Sequence, residues 1–154
     1  MRITAAESAV MTRRGFVVGA TCALPMSRPA RATPKEPPMR LTCRFADQSF
    51  DVTLNDSPAA RDLLSLLPLE LTIEDYAQNE KIAYLPRKLT EQGATAFSDE
   101  AIGDVCTYAP WGNLVFFHAP YRYSRGLVRL GQVEGDIAPL KLSGTYPLNV
   151  ISHG

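Results

Sequence analysis

Little in this chain marks acid–base, metal or redox chemistry. The 154 residues include two histidines, three cysteines and one tryptophan. His118 and His153 have no cysteine or carboxylate partners at metal-ligand spacing, so no metal site is expected, and no cofactor either. A Gly-rich phosphate loop, a nucleophile elbow and a paired-carboxylate signature are all missing. Internal repeats are missing too. No sign of charge dominates, since the formal net charge is zero. Its distribution is uneven, however. Residues 1–32 hold five Arg against Glu7, while the remainder holds 11 basic and 15 acidic residues. Phosphate affinity needs a basic face, and the acidic remainder excludes nucleic acid as a partner. With 45% hydrophobic and 21% charged residues, the chain has the make-up of one compact domain.

The basic N-terminal segment reads as an address. Thr12-Arg13-Arg14-Gly15-Phe16-Val17-Val18 resembles the twin-arginine export motif, and an apolar stretch from Phe16 to Pro25 follows. Ala30-Arg31-Ala32 places small residues where a signal peptidase cuts. The apolar stretch is too short to remain as a bilayer-spanning helix. Residues 1–32 are therefore expected to be a signal peptide and the mature protein to be periplasmic or extracellular, with no stable membrane span. Cys22 lies in the apolar stretch behind Thr21, where a lipoprotein site wants Gly or Ala. Past the cleavage site only Cys43 and Cys106 remain. They either pair, which needs Cα atoms within about 7 Å, or fill space as buried thiols on separate strands.

Thr33–Pro38 reads as an extended, Pro-rich linker, and residues 39–154 as the folded domain. Met39, Leu41, Cys43 and Phe45 alternate with polar residues, and Phe50, Val52 and Leu54 return after Asp47-Gln48, predicting a hairpin. Ser57 followed by Pro58 is a helix start, with Ala60, Leu63, Leu64 and Leu67 at helical spacing and Pro68 as the stop. Leu69–Glu74 alternates again, Asp75–Glu80 is polar, and Ile82–Leu85 predicts a short strand. Residues 87–102 predict a long excursion without regular structure. A short helix interrupted by Pro139 is expected near Ile137–Leu142, and a last strand near Leu148–Ile151.

Six of the 13 aromatic residues fall between Asp104 and Val133. Asp104–Tyr108, Leu114–Phe117 and Leu127–Val133 are strand-length apolar runs bounded by Pro, Gly and Asn. Strands at this spacing predict a closed or nearly closed antiparallel sheet. Phe116 and Phe117 must point to opposite faces, one of them core. A binding surface is expected at Trp111, Phe117, Tyr121 and Tyr123. Tyr121–Arg125 reads either as an amphipathic surface loop or as an anion-binding segment in which Arg works beside aromatic rings.

Three stretches resemble the cyclophilin-like fold of small bacterial proteins. Phe50–Pro58 running into Ala60…Leu67 resembles the cyclophilin strand, turn and first capping helix. Gly112-Asn113-Leu114-Val115-Phe116-Phe117 resembles the family's Gly-Ser-Gln-Phe-Phe strand. Leu127–Gly135 resembles its strand ending in Phe-Gly-Lys-Val. The resemblance covers roughly residues 39–140. It implies a mainly β protein: an eight-stranded closed barrel capped by one clear and one short helix. Cyclophilins isomerise peptidyl-proline bonds through an arginine that weakens amide resonance. Arg87 stands near the place of that catalytic arginine, and Phe117 falls on a pocket phenylalanine. Val115 replaces the substrate-binding Gln, the Gln-Gly-Gly-Asp stretch is missing, and Pro86 stands in place of His. The leading expectation is therefore a module that binds a small molecule or peptide segment in a groove with Arg87 at its rim. An isomerase with an atypical site comes second, and a structural partner of another exported protein third.

Overall fold

Alternation along the chain builds the wall of a barrel. The computed structural model describes residues 32–153 together with Gly15, Gly19, Ala20 and Ala30, and the rest of the stretch read as a signal peptide lies outside the described residues. Residues 33–38 are exposed and belong to no helix or strand. The strands are β1 (Arg40–Phe45), β2 (Gln48–Leu54), β3 (Leu69–Tyr76), β4 (Glu80–Tyr84), β5 (Asp104–Tyr108), β6 (Asn113–Phe117), β7 (Leu127–Val133) and β8 (Tyr146–Ser152). They close in the order β1-β2-β7-β5-β6-β4-β3-β8, every pair antiparallel. This is the closed eight-stranded barrel that the resemblance implies.

Inward residues fill the barrel. Leu41, Cys43 and Phe45 of β1 meet Phe50, Val52 and Leu54 of β2, Ile73 of β3, Leu114 and Phe116 of β6, Leu130 of β7, and Leu148 and Val150 of β8. Phe50 takes Phe45 and Phe116 edge-on, at centroid distances of 6.2 and 5.6 Å. Helix α1 (Pro58–Leu66) plugs one end. Ser57 caps it by accepting from Ala60 N, Pro58 needs no donor in the first turn, and Ala59, Ala60 and Leu63 are buried. Leu63 is completely buried. Leu63→Ala should therefore cost about 2–5 kcal/mol in a urea or thermal melt, whereas Leu64→Ala, at a half-buried position, should cost less.

Three details differ from the sequence reading. The polar stretch 75–80 is mostly strand, because β3 runs to Tyr76, β4 starts at Glu80, and only residues 77–79 turn. Lys81 points inward and is fully buried, its Nζ 2.6 Å from Asp75 Oδ1, and Asp75 also accepts from Gly144 N. The second cap is a 3-10 helix, Ala138–Lys141, since Pro139 in its first turn suits a single short turn. Cys43 lies among the residues inside the barrel and Cys106 in a separate cluster outside it, both as free thiols.

Candidate binding groove

The barrel has apolar side chains on both faces of part of its wall. On β6 the period-2 rule sends Leu114 and Phe116 inward and Asn113, Val115 and Phe117 outward, yet all five are buried. Ile82 of β4, Cys106 of β5 and Leu127 of β7 join Val115 and Phe117 in an outer cluster. Two loops cover one side of it. The 87–102 excursion brings Phe97, and the β6–β7 loop brings Tyr121 and Tyr123.

The uncovered remainder is a groove of about 310 Å³, within the usual range for small-molecule sites. Val115, Phe117 and Leu127 supply apolar lining, and Asn113, Glu80 and Arg122 supply polar groups. Tyr76, Tyr108 and Trp111 supply the aromatic walls. Tyr76 comes from the end of β3 and Trp111 from the β5–β6 turn. The register Glu80↔Phe117 and Tyr84↔Asn113 puts these at opposite ends of the β4–β6 pair. Their rings nevertheless meet edge to face at 5.2 Å, and Trp111 meets Tyr108 in the same manner at 5.4 Å. Trp111 is 44% exposed. Its edge contacts are worth only about 0.5–1.5 kcal/mol each, so this ring is cheap to displace.

Tyr121 is fixed far more firmly. Its ring lies parallel on Phe117 at 3.5 Å, and its hydroxyl donates to Asp104 Oδ2 at 2.7 Å. Burial and that donation push the Tyr121 phenol well above its ordinary range, so it remains a neutral donor. Asp104 is fully buried and also accepts from Ala101 N and Gln132 Nε2, with Arg129 Nη2 at 3.2 Å. Burial pushes the Cys106 thiol up to about 12, which makes it packing and not a nucleophile.

Two side chains in the groove lack partners among the described residues. Asn113 is 1% exposed, and neither its Oδ1 nor its Nδ2 makes a hydrogen bond among the described residues. Glu80 is half-buried, and burial raises its carboxyl above the usual glutamate range. Buried polar atoms left unpaired cost free energy, and perturbed carboxyls concentrate at functional sites. Sequence reading missed both. The period-2 alternation that puts Asn113 on the same face as Phe117 was the available signal for the first.

The structure brings Trp111, Phe117 and Tyr121 together in the groove, but not Tyr123 or Arg87. Tyr123 packs edge-on against Phe97 at 4.9 Å, and its backbone N–H donates to Glu100. Arg87 is held by Asp62 of α1, with Nη2 to Oδ1 at 2.6 Å and Nη1 to Oδ2 at 3.1 Å. The expected rim arginine is thus a tether between the helix and the start of the excursion. Thr90 N donates to the same carboxylate. These hydrogen bonds, Arg87 first and Thr90 next, hold the Asp62 carboxyl down at about 2. A carboxyl depressed by folding adds stability above its unfolded value, and loses it as pH falls through the folded one. The stability difference between wild type and Asp62→Asn should therefore shrink between about pH 4 and 2, which urea midpoints across that range would show.

A closed antiparallel barrel with an aromatic groove on its outer wall defines the class of fold. The chain belongs to the cyclophilin-like family, whose model matches residues 43–150. The solution structure of a hypothetical protein from Archaeoglobus fulgidus is similar, with a TM-score of 0.57 and 18% sequence identity. That similarity covers 75% of this chain and 95% of the archaeal one, and it carries the fold alone. No curated protein sequence matches the chain.

Proposed function

We propose that this protein is an exported binding module that takes a small molecule or short peptide segment in the outer groove. The observation that carries this reading is the buried, unpartnered amide of Asn113 in an open groove walled by aromatic rings. Polar atoms sealed in this way persist where a ligand completes them. Glu80 and Arg122 stand in the same lining, and among the described residues no ion pair joins them. The groove is open and not filled by the protein's own side chains, which supports binding over a purely structural role.

Trp111 is the sole tryptophan, so its emission reports on the groove directly. Native mass spectrometry of protein recovered from its host's periplasm should show an adduct that Trp111→Ala or Glu80→Ala weakens. Bare protein from that compartment, together with Trp111 emission indifferent to proline peptides and small amides, would sink the proposal. Export is tested separately. Arg13→Lys with Arg14→Lys should leave the chain in the cytoplasm, and continued export would reject the address.

Isomerisation is the second reading, and one observation favours it. Arg122 lines the groove together with Phe117 and Val115, where Arg87 does not. An arginine beside a bound prolyl amide can lower its barrier of about 18–20 kcal/mol. Turnover of a proline peptide that is lost in Arg122→Ala and kept in Arg87→Ala would establish it. Turnover unaffected by Arg122→Ala would dismiss it.

A further inference from the structure

The orphaned amide of Asn113 restricts the chemistry of the ligand further, an argument that rests on the groove being a binding site. A side-chain amide presents its Nδ2–H and its Oδ1 side by side in one plane. The complement is a partner with a carbonyl and an N–H side by side on one edge. An ordinary trans peptide bond has these groups on opposite sides and can satisfy only one of the two atoms. A prolyl amide has no N–H at all and leaves Oδ1 unpaired. Cyclic amides and ureides hold the bond cis, so both groups face the same way.

The neighbours of Asn113 select for shape. Tyr84 and Tyr108 are its direct cross-strand neighbours on either side. Tyr108 and Tyr76 each stand nearly perpendicular to Trp111, at 80° and 88°. Flat rings stack on such walls, whereas branched aliphatic ligands do not use them. Both amide atoms of Asn113 are sealed from bulk water. A ligand therefore reaches them only where a neighbouring side chain moves, and the half-exposed Trp111, two residues along the chain, lines the same groove.

We infer that the groove recognises a small planar ring carrying a cis H–N–C=O edge, of the lactam, cyclic ureide or diketopiperazine class, paired in two hydrogen bonds with the Asn113 side chain. A site built to bond both groups rejects an analogue lacking one, because its own polar atom is then left buried and unpaired. Glu80 lies in the same lining and can take a second edge of the ring.

The test uses the diketopiperazine cyclo(Gly-Phe), its di-N-methylated counterpart and a proline tetrapeptide. Trp111 emission and the Asn113 side-chain NH2 cross-peak of the 15N-labelled wild type are followed together. The expected result is saturable change in both signals with cyclo(Gly-Phe), a downfield shift of the Asn113 resonance, and at least tenfold weaker binding after N-methylation. Equal affinity for the two rings overturns this inference and leaves the groove reading standing, as does a response to the tetrapeptide alone. No response of either signal to any of the three compounds overturns both. The N-methyl comparison is made on wild type, so it does not depend on the folding of a variant.

Discussion

Gly131→Val opens the barrel. A Cβ at this position would sit 2.0 Å from the carbonyl oxygen of Thr53 and 2.8 Å from the Cα of Leu54, both backbone atoms that cannot swing aside. Relief requires β2 and β7 to separate. The ladder there has three residue pairs, Val52↔Val133, Thr53↔Gln132 and Leu54↔Gly131, extended at its ends by Asn55 N donating to Leu130 O and Glu134 N to Asp51 O. Overpacking against a rigid neighbour typically costs 1–3 kcal/mol, and here the loss of strand pairing adds to it. A penalty of about 3 kcal/mol or more is expected, read as a fall in the urea midpoint. Hydrogen exchange should localise the damage to β2 and β7 first. Gly135 is the control. It has positive φ but nothing within 4 Å, so Gly135→Ala should cost only about 1 kcal/mol. Similar losses at both positions would show that the close approach of two strands does not set the effect.

Asn113→Leu should move stability the other way. The substitution replaces two unpaired buried polar atoms with apolar ones of similar bulk. Leaving a buried group unsatisfied costs about 1–3 kcal/mol, so a gain of that order is expected, seen as a melting midpoint several degrees higher. The same variant should lose the Trp111 response to cyclo(Gly-Phe). A site that gives up stability in the empty state and recovers it with ligand would behave in this way. A destabilised Asn113→Leu would mean that the amide already has a partner, and the ligand argument would lose its footing.

Most of the wall was legible because alternation and short aliphatic runs act locally. β5 and β7 fall where the runs predict them, and the helix has the expected capping serine and proline. Lys81 was not legible. A lysine between Glu80 and Ile82 looks solvated, and only the register Asp75↔Lys81 reveals the partner that lets it be buried. The site was harder still, since its lining comes from β3, β4, β5, β6 and β7, which follow one another along the chain but stand in the order β7-β5-β6-β4-β3 around the barrel. Trp111, Phe117 and Tyr121 could be grouped from the sequence because they belong to one stretch, and they line the groove together. Arg87 was misplaced at the rim because its partner, Asp62, stands 25 residues earlier on another element. Local resemblance carries no information about a tether of that kind. Tyr123 belongs to the same stretch, but the loop turns its ring toward Phe97.

The first and last strands lie side by side in the wall, and His153 N donates to the carbonyl of Arg40 at 3.0 Å. The two ends of the barrel domain thus meet at one seam of an otherwise continuous cylinder. A brief Gly/Ser bridge from residue 153 to residue 39, with new termini cut at the exposed Gly135–Asp136 bend, should yield a circular permutant with the same groove. In such a molecule β7 would become the last strand, its distance along the chain from β2 unchanged, while β8 and β1 would become a hairpin.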